Sequence, residues 1–187
     1  MKEILNPNTS MAPVPVVMVS CGNEEKSNII TIAWTGIASS EPPTVYVSIR
    51  KNRYSYNIIK ETGEFAVNIP NKNLVWQVDF CGTKTGKDID KFKEAGLTKE
   101  KSNEIKAPLI KECPINLECR VKEIRDLGSH DMFIGEVVSV HCDDNYINIL
   151  NNGNKLIDFS NVETLLYAGD KYMVADKIVA KRGISLK

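Results

Sequence analysis

Two segments of the 187-residue chain carry residue types that bind anions. The first, residues 48–55, reads SIRKNRYS, with the cations Arg50, Lys51 and Arg53 followed by a serine at a predicted helix start. Guanidinium and ammonium groups form charge-assisted hydrogen bonds to phosphate, and the first N–H groups of a helix are free to bind it too. A solvated basic turn has the same composition, so this segment alone leaves both interpretations open.

The second segment, residues 80–88, reads FCGTKTGKD. Its two glycines bracket a predicted loop, which can bring backbone N–H groups and the Lys87 side chain close to a ligand. A third segment, residues 27–43, reads SNIITIAWTGIASSEPP and predicts a β-strand that runs into a turn stopped by proline. Its polar residues, among them Asn28, Thr31 and Thr35, break the alternation that a half-buried strand would show.

The common catalytic patterns do not occur in the sequence. The two histidines, His130 and His141, are not part of an H-E-x-x-H motif, which argues against a catalytic zinc site. Ser129, His130 and Asp131 hold the residue types of a hydrolase triad, but sequence neighbours rarely form the required relay, and no G-x-S-x-G elbow accompanies them. Walker and Rossmann glycine motifs are also missing. We therefore predict no metal centre and no Walker or Rossmann nucleotide site.

The composition predicts an ordinary globular protein without a nucleic-acid or membrane partner. Basic and acidic residues each number 24, and hydrophobic residues make up 42% of the chain. The N-terminus lacks the apolar run of a signal peptide, and nowhere do about 18 apolar residues follow one another. Five scattered cysteines without a C-x-x-C pair are typical of buried thiols. We expect one cytoplasmic domain spanning residues 1–187, with a C-terminal arm from about residue 170 to 187.

The elements that must position these residues are mostly short strands. Strand-like runs bounded by turn residues cover residues 14–20, 28–34, 44–50, 64–69, 115–124, 132–141 and 145–149. Helical spacing of apolar residues predicts helices over 54–61, 73–80 and 87–97, while 98–108 is a charged, solvated connection. The pattern predicts a mainly β fold: a closed or nearly closed antiparallel barrel with a few covering helices, because closure removes exposed strand edges.

Six spaced motifs follow one another along the chain. They read Asn28-x-x-Thr31-x-x-Trp34, Ser39-Ser-x-Pro-Pro43, Arg53-x-Ser55-x-x-x-Ile59, Thr62-Gly-Glu-Phe-x-Val-Asn68, Leu117-Glu-Cys119 and Gly128-x-His130-x-x-x-x-Gly135-Glu-Val137. Together they resemble the flavin reductase-like family, especially its flavoredoxin branch, over roughly residues 10 to 145. The resemblance implies an FMN-binding split β-barrel with Greek-key-like topology and non-covalently bound FMN. It also implies a homodimer with the flavin near the subunit interface.

The resemblance further implies roles for individual residues. The residues expected along the edge of the isoalloxazine ring are Asn28, Thr31, Ala33, Trp34 and Thr35, the last three through backbone groups. Those expected to line the same cavity are Ser48 and Arg50, and those expected to hold the FMN phosphate are Lys51, Arg53 and Ser55. The residues expected to close over the flavin or its ribityl chain are Phe80, Cys81, Gly82, Thr83 and Lys87.

Some of these roles have two interpretations. His130 matches the histidine of the family's Gly-Asp-His motif, but Ser129 replaces the aspartate, so His130 is either a substrate-side residue or a structural one. Trp34 and Trp76 either shelter the flavin or belong to the core. A cation near the N1 and C2=O edge of the ring would favour the anionic reduced flavin, and Lys87 and Arg50 are both candidates.

The resemblance implies an FMN-dependent oxidoreductase that takes a hydride from NADH or NADPH and passes electrons to an acceptor. Because the flavin carries the chemistry, no acid/base dyad is required of the protein. An alternative is a flavoredoxin-type carrier that exchanges electrons with a protein partner and has little nicotinamide activity. A flavin-free binding module on the same barrel is the third hypothesis.

Overall fold

The computed structural model describes residues 1–175 and 177–186, which fold mainly into β-strands. The helices are α1 (Tyr54–Thr62), α2 (Val75–Thr83) and α3 (Lys91–Glu94), and 3-10 turns cover Lys72–Leu74, Asp144–Tyr146 and Ile184–Leu186. The strands are β1 (Val14–Pro15), β2 (Val17–Gly22), β3 (Ser27–Ile32), β4 (Thr35–Ser40), β5 (Pro43–Arg50), β6 (Glu64–Ile69), β7 (Lys99–Glu100), β8 (Leu109–Ile110), β9 (Ile115–Asp126), β10 (His130–Cys142), β11 (Ile147–Ile149), β12 (Lys155–Ile157), β13 (Leu165–Ala168) and β14 (Lys171–Val174).

One antiparallel sheet carries most of the chain, with its strands in the order β3-β2-β6-β9-β10-β5-β4. β3 and β4 therefore lie at opposite edges of this sheet, although only Ala33 and Trp34 separate them in the chain. A link of this length spans at most about 11 Å, so the sheet has to curl until its edges meet. The Ser48 N–H extends the β4–β5 pairing into this link by donating to the Trp34 carbonyl at 2.9 Å. The predicted antiparallel barrel with covering helices is confirmed.

The inside of the barrel is filled by side chains from several of its strands. Val19 of β2, Val47 of β5, Phe65 of β6 and Phe133 of β10 are all fully buried there. Burying a side chain of this size contributes about 1.5–3 kcal/mol to stability. Gly135 leaves room for the Phe65 ring, because a Cβ at position 135 would lie 2.7 Å from a ring carbon.

β2 and β3 are buried on both faces, which sets them apart from ordinary half-buried strands. On one face, Ile30 belongs to the barrel interior. On the other, Met18 and Ile29 pack against Val78 of α2 and Phe92 of α3. Because apolar side chains are needed on both faces, residues 27–32 do not alternate in the usual way.

Several predicted elements differ from the structure. The predicted strand 28–34 ends at Ile32, and residues 35–40 form the separate strand β4, which pairs with β5. The predicted strand 145–149 keeps only residues 147–149, after a 3-10 turn. The predicted helix 87–97 is reduced to α3, whose first N–H groups are capped by the Asp90 carboxylate. Gly96, at a φ of 64°, turns the chain away after it.

The predicted helix 73–80 is shifted along the chain to α2, so residues 80–83 are helical and not part of a loop. The Thr83 hydroxyl stabilises this last turn by donating to the Asp79 carbonyl at 2.9 Å. The loop that follows begins at Lys84, whose N–H still donates to the Phe80 carbonyl at 3.0 Å.

The C-terminal part of the chain adds a second small sheet in the order β1-β13-β14. Leu165 of β13 is buried beside α2 and α3, so this sheet covers the outer core. The predicted arm from about residue 170 to 187 thus begins with β14, and its residues 177–183 are exposed. Asp176 and Lys187, which belong to that prediction, lie outside the described residues.

The segment 98–108 is not the solvated connection that its charges predict. Its Ile105 and Ala107 side chains are buried, and the fully buried Glu118 carboxylate of β9 holds its backbone. That carboxylate accepts hydrogen bonds of 2.7 to 3.0 Å from three successive N–H groups, those of Asn103, Glu104 and Ile105. His141 Nε2 lies 2.6 Å from the same carboxylate. Burial alone would raise the pKa of Glu118, but these bonds lower it below its usual range.

We expect Glu118→Gln to lower the free energy of unfolding by about 3 kcal/mol at pH 7, since it removes a buried, hydrogen-bonded charge. The folded-state pKa of Glu118 is depressed, so its contribution is present above the unfolded-state pKa of about 4.3 and is lost as the pH falls through the folded-state pKa. Urea unfolding at neutral pH and near pH 3 measures the difference, which should shrink in acid. Glu61→Gln, an exposed change on α1, is the control, and a difference independent of pH would contradict the assignment.

Candidate functional site

Two adjacent cavities lie where the edges of the curled sheet meet α1 and α2. The tryptophan cavity, of about 280 Å³, is lined by Ile30, Thr31, Ile32, Ala33, Trp34, Ser48, Arg50, Arg53, Gly82, His130 and Tyr167. The lysine cavity, of about 190 Å³, is lined by Asn28, Ile30, Asn52, Arg53, Tyr54, Ser55, Cys81, Gly82, Lys84, Thr85, Gly86 and Lys91. Ile30, Arg53 and Gly82 line both cavities, and the combined volume falls within the roughly 300–1,000 Å³ of small-molecule sites.

A larger groove of about 740 Å³ lies between residues 23–25 and 99–108. It contains none of the predicted site residues, and its walls are surface lysines and glutamates of mixed charge together with Ser102, Ile105 and Pro108. The two smaller cavities combine buried polar groups, cations and aromatic rings, and they are the candidate functional site.

One wall of the tryptophan cavity is an aromatic pair at the junction between the sheet edges. The Trp34 and His130 ring centroids are 4.4 Å apart at an interplanar angle of 49°. Trp34 is 43% exposed, so it belongs to the cavity wall and not to the core. Trp76 is 58% exposed and stacks on Phe80 outside both cavities, so the core interpretation is wrong for it too.

His130 is a buried histidine held in place by its neighbours in the chain and in space. Its Nδ1 lies 2.8 Å from the Ser129 hydroxyl, the residue that replaces the expected aspartate. Burial lowers the pKa of His130 below its ordinary value, and the positive charges of Arg50 and Arg53 lower it further. The imidazole is therefore neutral at pH 7, with one nitrogen as donor and the other as acceptor.

Close packing of α2 against β3 forms the floor between the cavities. The Thr31 hydroxyl donates to the Val78 carbonyl of α2 at 2.5 Å. A Cβ on Gly82 would lie 3.2 Å from the Thr31 Cβ, so glycine allows the last turn of α2 to approach the strand. Thr31 thus anchors the helix and faces the tryptophan cavity at the same time.

The lysine cavity contains a buried amide–hydroxyl pair beside the start of α1. Asn28 Nδ2 donates to the Ser55 hydroxyl at 2.7 Å, and both side chains are buried. Gly86 covers this pair closely, because a Cβ there would lie 1.8 Å from Asn28 Oδ1. Arg53 occupies the cap position of α1, and its carbonyl accepts from the Tyr56 N–H at 3.0 Å. The N–H groups of Tyr54 and Ser55 have no acceptor among the described residues, which leaves them to a ligand.

Lys91 brings a buried positive charge to the same cavity. It is 4% exposed, and its Nζ donates to the backbone carbonyls of Ile29 at 2.8 Å and Cys81 at 2.7 Å. Among the described residues, no carboxylate forms an ion pair with it. Burial lowers the pKa of Lys91 to about 8. Sequence analysis missed it, although it shares the apolar face of the predicted helix with Phe92 and Ala95.

The structure brings most of the predicted site residues together. Those that line one or both cavities are Asn28, Thr31, Ala33, Trp34, Ser48, Arg50, Arg53, Ser55, Cys81, Gly82 and His130. Their contact with a cofactor stays a prediction. Besides Lys91, the lining residues that were not predicted as site residues are Ile30, Ile32, Asn52, Tyr54, Lys84, Thr85, Gly86 and Tyr167. Tyr167 comes from β13, a strand that the sequence pattern did not predict.

Five predicted site residues do not line either cavity: Thr35, Lys51, Phe80, Thr83 and Lys87. The Lys51 ammonium is already paired, 2.7 Å from the Asp126 carboxylate and 3.2 Å from that of Asp131. The Thr35 hydroxyl donates to the Tyr46 carbonyl at 2.7 Å and faces a third cavity beyond Trp34. Phe80 and Thr83 lie on α2, where the helix carries them away from the cavities, and Lys87 is exposed in the loop after it.

Within residues 1–175 and 177–186, no group of three or more His, Cys, Asp or Glu side chains is arranged to hold a metal ion. The helices of this part of the chain are also too short or too polar to cross a bilayer.

Comparison with known proteins points to one family. A family model described as "Flavin reductase like domain" matches residues 9–175. The structure of flavoredoxin of Desulfovibrio vulgaris (Miyazaki F) is similar with a TM-score of 0.90 and 31% sequence identity, covering 100% of both chains. For flavoredoxin from Methanosarcina acetivorans the TM-score is 0.85 and the identity 29%, again covering 100% of both chains. FMN reductase (NADH) RutF of Agrobacterium fabrum is 26% identical over 103 residues, covering 54% of this chain and 56% of its own.

We expect the pKa of His130 to lie below its ordinary value of 6.5 and to rise in Arg50→Gln. Removing the guanidinium removes a repulsion that opposes protonation of the imidazole. NMR titration of the imidazole signals of His130 and His141 measures this shift. Arg120→Gln, a cation on β9 bonded to Glu104, is the control and should leave the pKa of His130 unchanged. An unchanged pKa in the Arg50 variant would show that the guanidinium does not act on this ring.

Proposed function

The chain belongs to the flavin reductase-like family, whose members bind FMN, and on that premise we propose that it is an FMN-binding electron-transfer protein of the flavoredoxin kind. The observation that carries the proposal is the similarity to a flavoredoxin over the full length of both chains. Within the described part of the chain, no carboxylate lines either cavity, which fits a site in which the cofactor performs the redox chemistry.

The two cavities fit the two ends of FMN. The lysine cavity combines three cations, Arg53, Lys84 and Lys91, with the first N–H groups of α1, a set of donors that suits a phosphate monoester. The tryptophan cavity combines flat aromatic surfaces with polar groups on Thr31 and Ser48, which suits a planar ring with a polar edge. Ile30, Arg53 and Gly82 line both cavities, so one ligand can extend from one cavity into the other.

In this proposal, three residues of the tryptophan cavity have distinct roles toward the flavin. Bound FMN supplies hydride and single-electron chemistry. The Trp34–His130 pair shields one side of the cavity from water, and the neutral His130 offers one donor and one acceptor nitrogen. The Arg50 guanidinium places positive charge in the tryptophan cavity, which favours a negatively charged reduced ligand there.

A NAD(P)H-dependent flavin reductase is the second candidate. The partial similarity to FMN reductase (NADH) RutF favours it. In this version NADH or NADPH is the electron donor, whereas the carrier takes electrons from a protein partner. A cytoplasmic location fits both versions, since the five cysteines are free thiols.

Anaerobic mixing of the FMN-loaded protein with electron donors separates the two candidates. The carrier proposal predicts that reduced ferredoxin or dithionite bleaches the flavin absorption band rapidly, while NADH and NADPH bleach it at least about tenfold more slowly. Rapid bleaching by NADH or NADPH would overturn the carrier proposal in favour of the reductase. Protein that stays colourless after incubation with FMN would contradict both.

We also propose that the protein is a homodimer with the flavin near the interface. Exposed apolar side chains lie on the edge strand β4, where Ile37 is 82% exposed, and around the β11–β12 hairpin, where Leu156 and Phe159 are 54% and 58% exposed. Such surfaces favour association, and an unpaired edge strand favours pairing with a second chain. Light scattering should return twice the chain mass of 20.9 kDa, and a single chain mass would contradict the proposal.

A further inference from the structure

Lys91 has one hydrogen-bond donor that the described residues leave unused. A lysine ammonium group has three N–H donors. Two of them are used by the carbonyls of Ile29 and Cys81, which tie the start of α3 to β3 and to the end of α2. These two bonds fix the position of Nζ at the wall of the lysine cavity, where Ser55 and the start of α1 are also found.

We infer that Lys91 selects a flavin that carries a phosphate group, by donating its third N–H to a phosphate oxygen while it keeps its proton. This inference rests on the proposed function and adds the residue that distinguishes FMN from unphosphorylated riboflavin. A buried ammonium group without a carboxylate partner costs solvation free energy, and a phosphate dianion in the same cavity offsets that cost. Riboflavin lacks the dianion, so the charge of Lys91 contributes little to its binding.

Above pH 7, Lys91 is the group of the lysine cavity whose change of protonation is expected to alter phosphate binding most. Cys21 of β2 and Cys81 of α2 face it, and burial raises the pKa of both thiols to about 11, so they stay neutral. The positive charge of Arg53, before α1, opposes protonation of Lys91. On its own element, the Asp90 carboxylate is engaged in capping α3, and Lys84 lines the cavity from the loop after α2.

Phosphate binding and proton binding at Lys91 are therefore coupled. Burial and the nearby Arg53 lower the pKa of Lys91 to about 8 in the ligand-free protein, and a bound dianion raises it. The second ionisation of a phosphate monoester has a pKa of about 6, so the ligand is a dianion over the whole range above pH 7. As the pH rises from 7 to 9.5, the protonated fraction of Lys91 falls about 30-fold, and FMN affinity falls with it.

The test is the ratio of riboflavin Kd to FMN Kd, measured by flavin fluorescence quenching between pH 7 and 9.5. Ionisation of the ring affects both ligands alike and cancels in the ratio. We expect the ratio to fall by up to about 30-fold in the wild type. In Lys91→Met the ratio should be low at all pH values, and any change in packing that affects both flavins cancels in it. Lys93→Met, an exposed lysine on the same helix, should follow the wild type.

Lys91→Arg keeps the charge at every pH, so its ratio should be high and constant. Should either Lys91 variant fail to fold, the profile of the wild type alone decides. A ratio independent of pH in the wild type, with both flavins bound, would overturn the inference and leave the proposed function intact. This outcome is also expected if Lys91 faces the flavin ring, which both ligands share. Failure of both flavins to bind would overturn the proposed function itself.

Discussion

The two-residue link between β3 and β4 is the constraint on which the site depends. Because Ala33 and Trp34 alone join strands at opposite edges of a seven-stranded sheet, the sheet must curl into a barrel, and both residues lie at the seam. A seam leaves strand ends and backbone groups that no ladder uses, and these are the groups that a ligand can bind. The Ser48 N–H donates to the Trp34 carbonyl, and the Trp34 ring packs against the His130 ring. The link that curls the sheet into a barrel therefore also forms part of the wall of the tryptophan cavity.

The buried charge of Lys91 shows what such a site costs. The Lys91 side chain is 4% exposed, and its ammonium group is bonded only to carbonyls. It therefore stabilises the folded protein less than an apolar side chain of similar shape would. Natural proteins accept this kind of cost mainly where function requires it. Binding of an anionic cofactor would offset the free-energy cost of burying the Lys91 charge, since any ligand that binds only the folded state stabilises that state. The folded barrel and its cofactor then depend on each other.

Sequence patterns predicted the barrel and most of the cavity, and their failures have physical causes. The basic run before Ser55 was identified because phosphate binding needs cations and free N–H groups at a helix start, whereas the roles of the β3 residues came from the family resemblance. Lys51 carries the right charge, but the fold gives it two aspartates from the β9–β10 hairpin, which no local pattern predicts. Lys91 and Tyr167 were missed because their role comes from tertiary packing, one on a helix that buries its charge and one on a distant strand.

A crystal structure of the protein grown with FMN tests the central claim most directly. The account predicts the isoalloxazine ring in the tryptophan cavity beside Trp34 and His130, and the phosphorus atom in the lysine cavity, with phosphate oxygens within hydrogen-bond distance of Lys91 Nζ and the first N–H groups of α1. Flavin density elsewhere, for example in the groove between residues 23–25 and 99–108, would contradict it. So would a ring bound in the tryptophan cavity with its phosphate pointing away from Lys91.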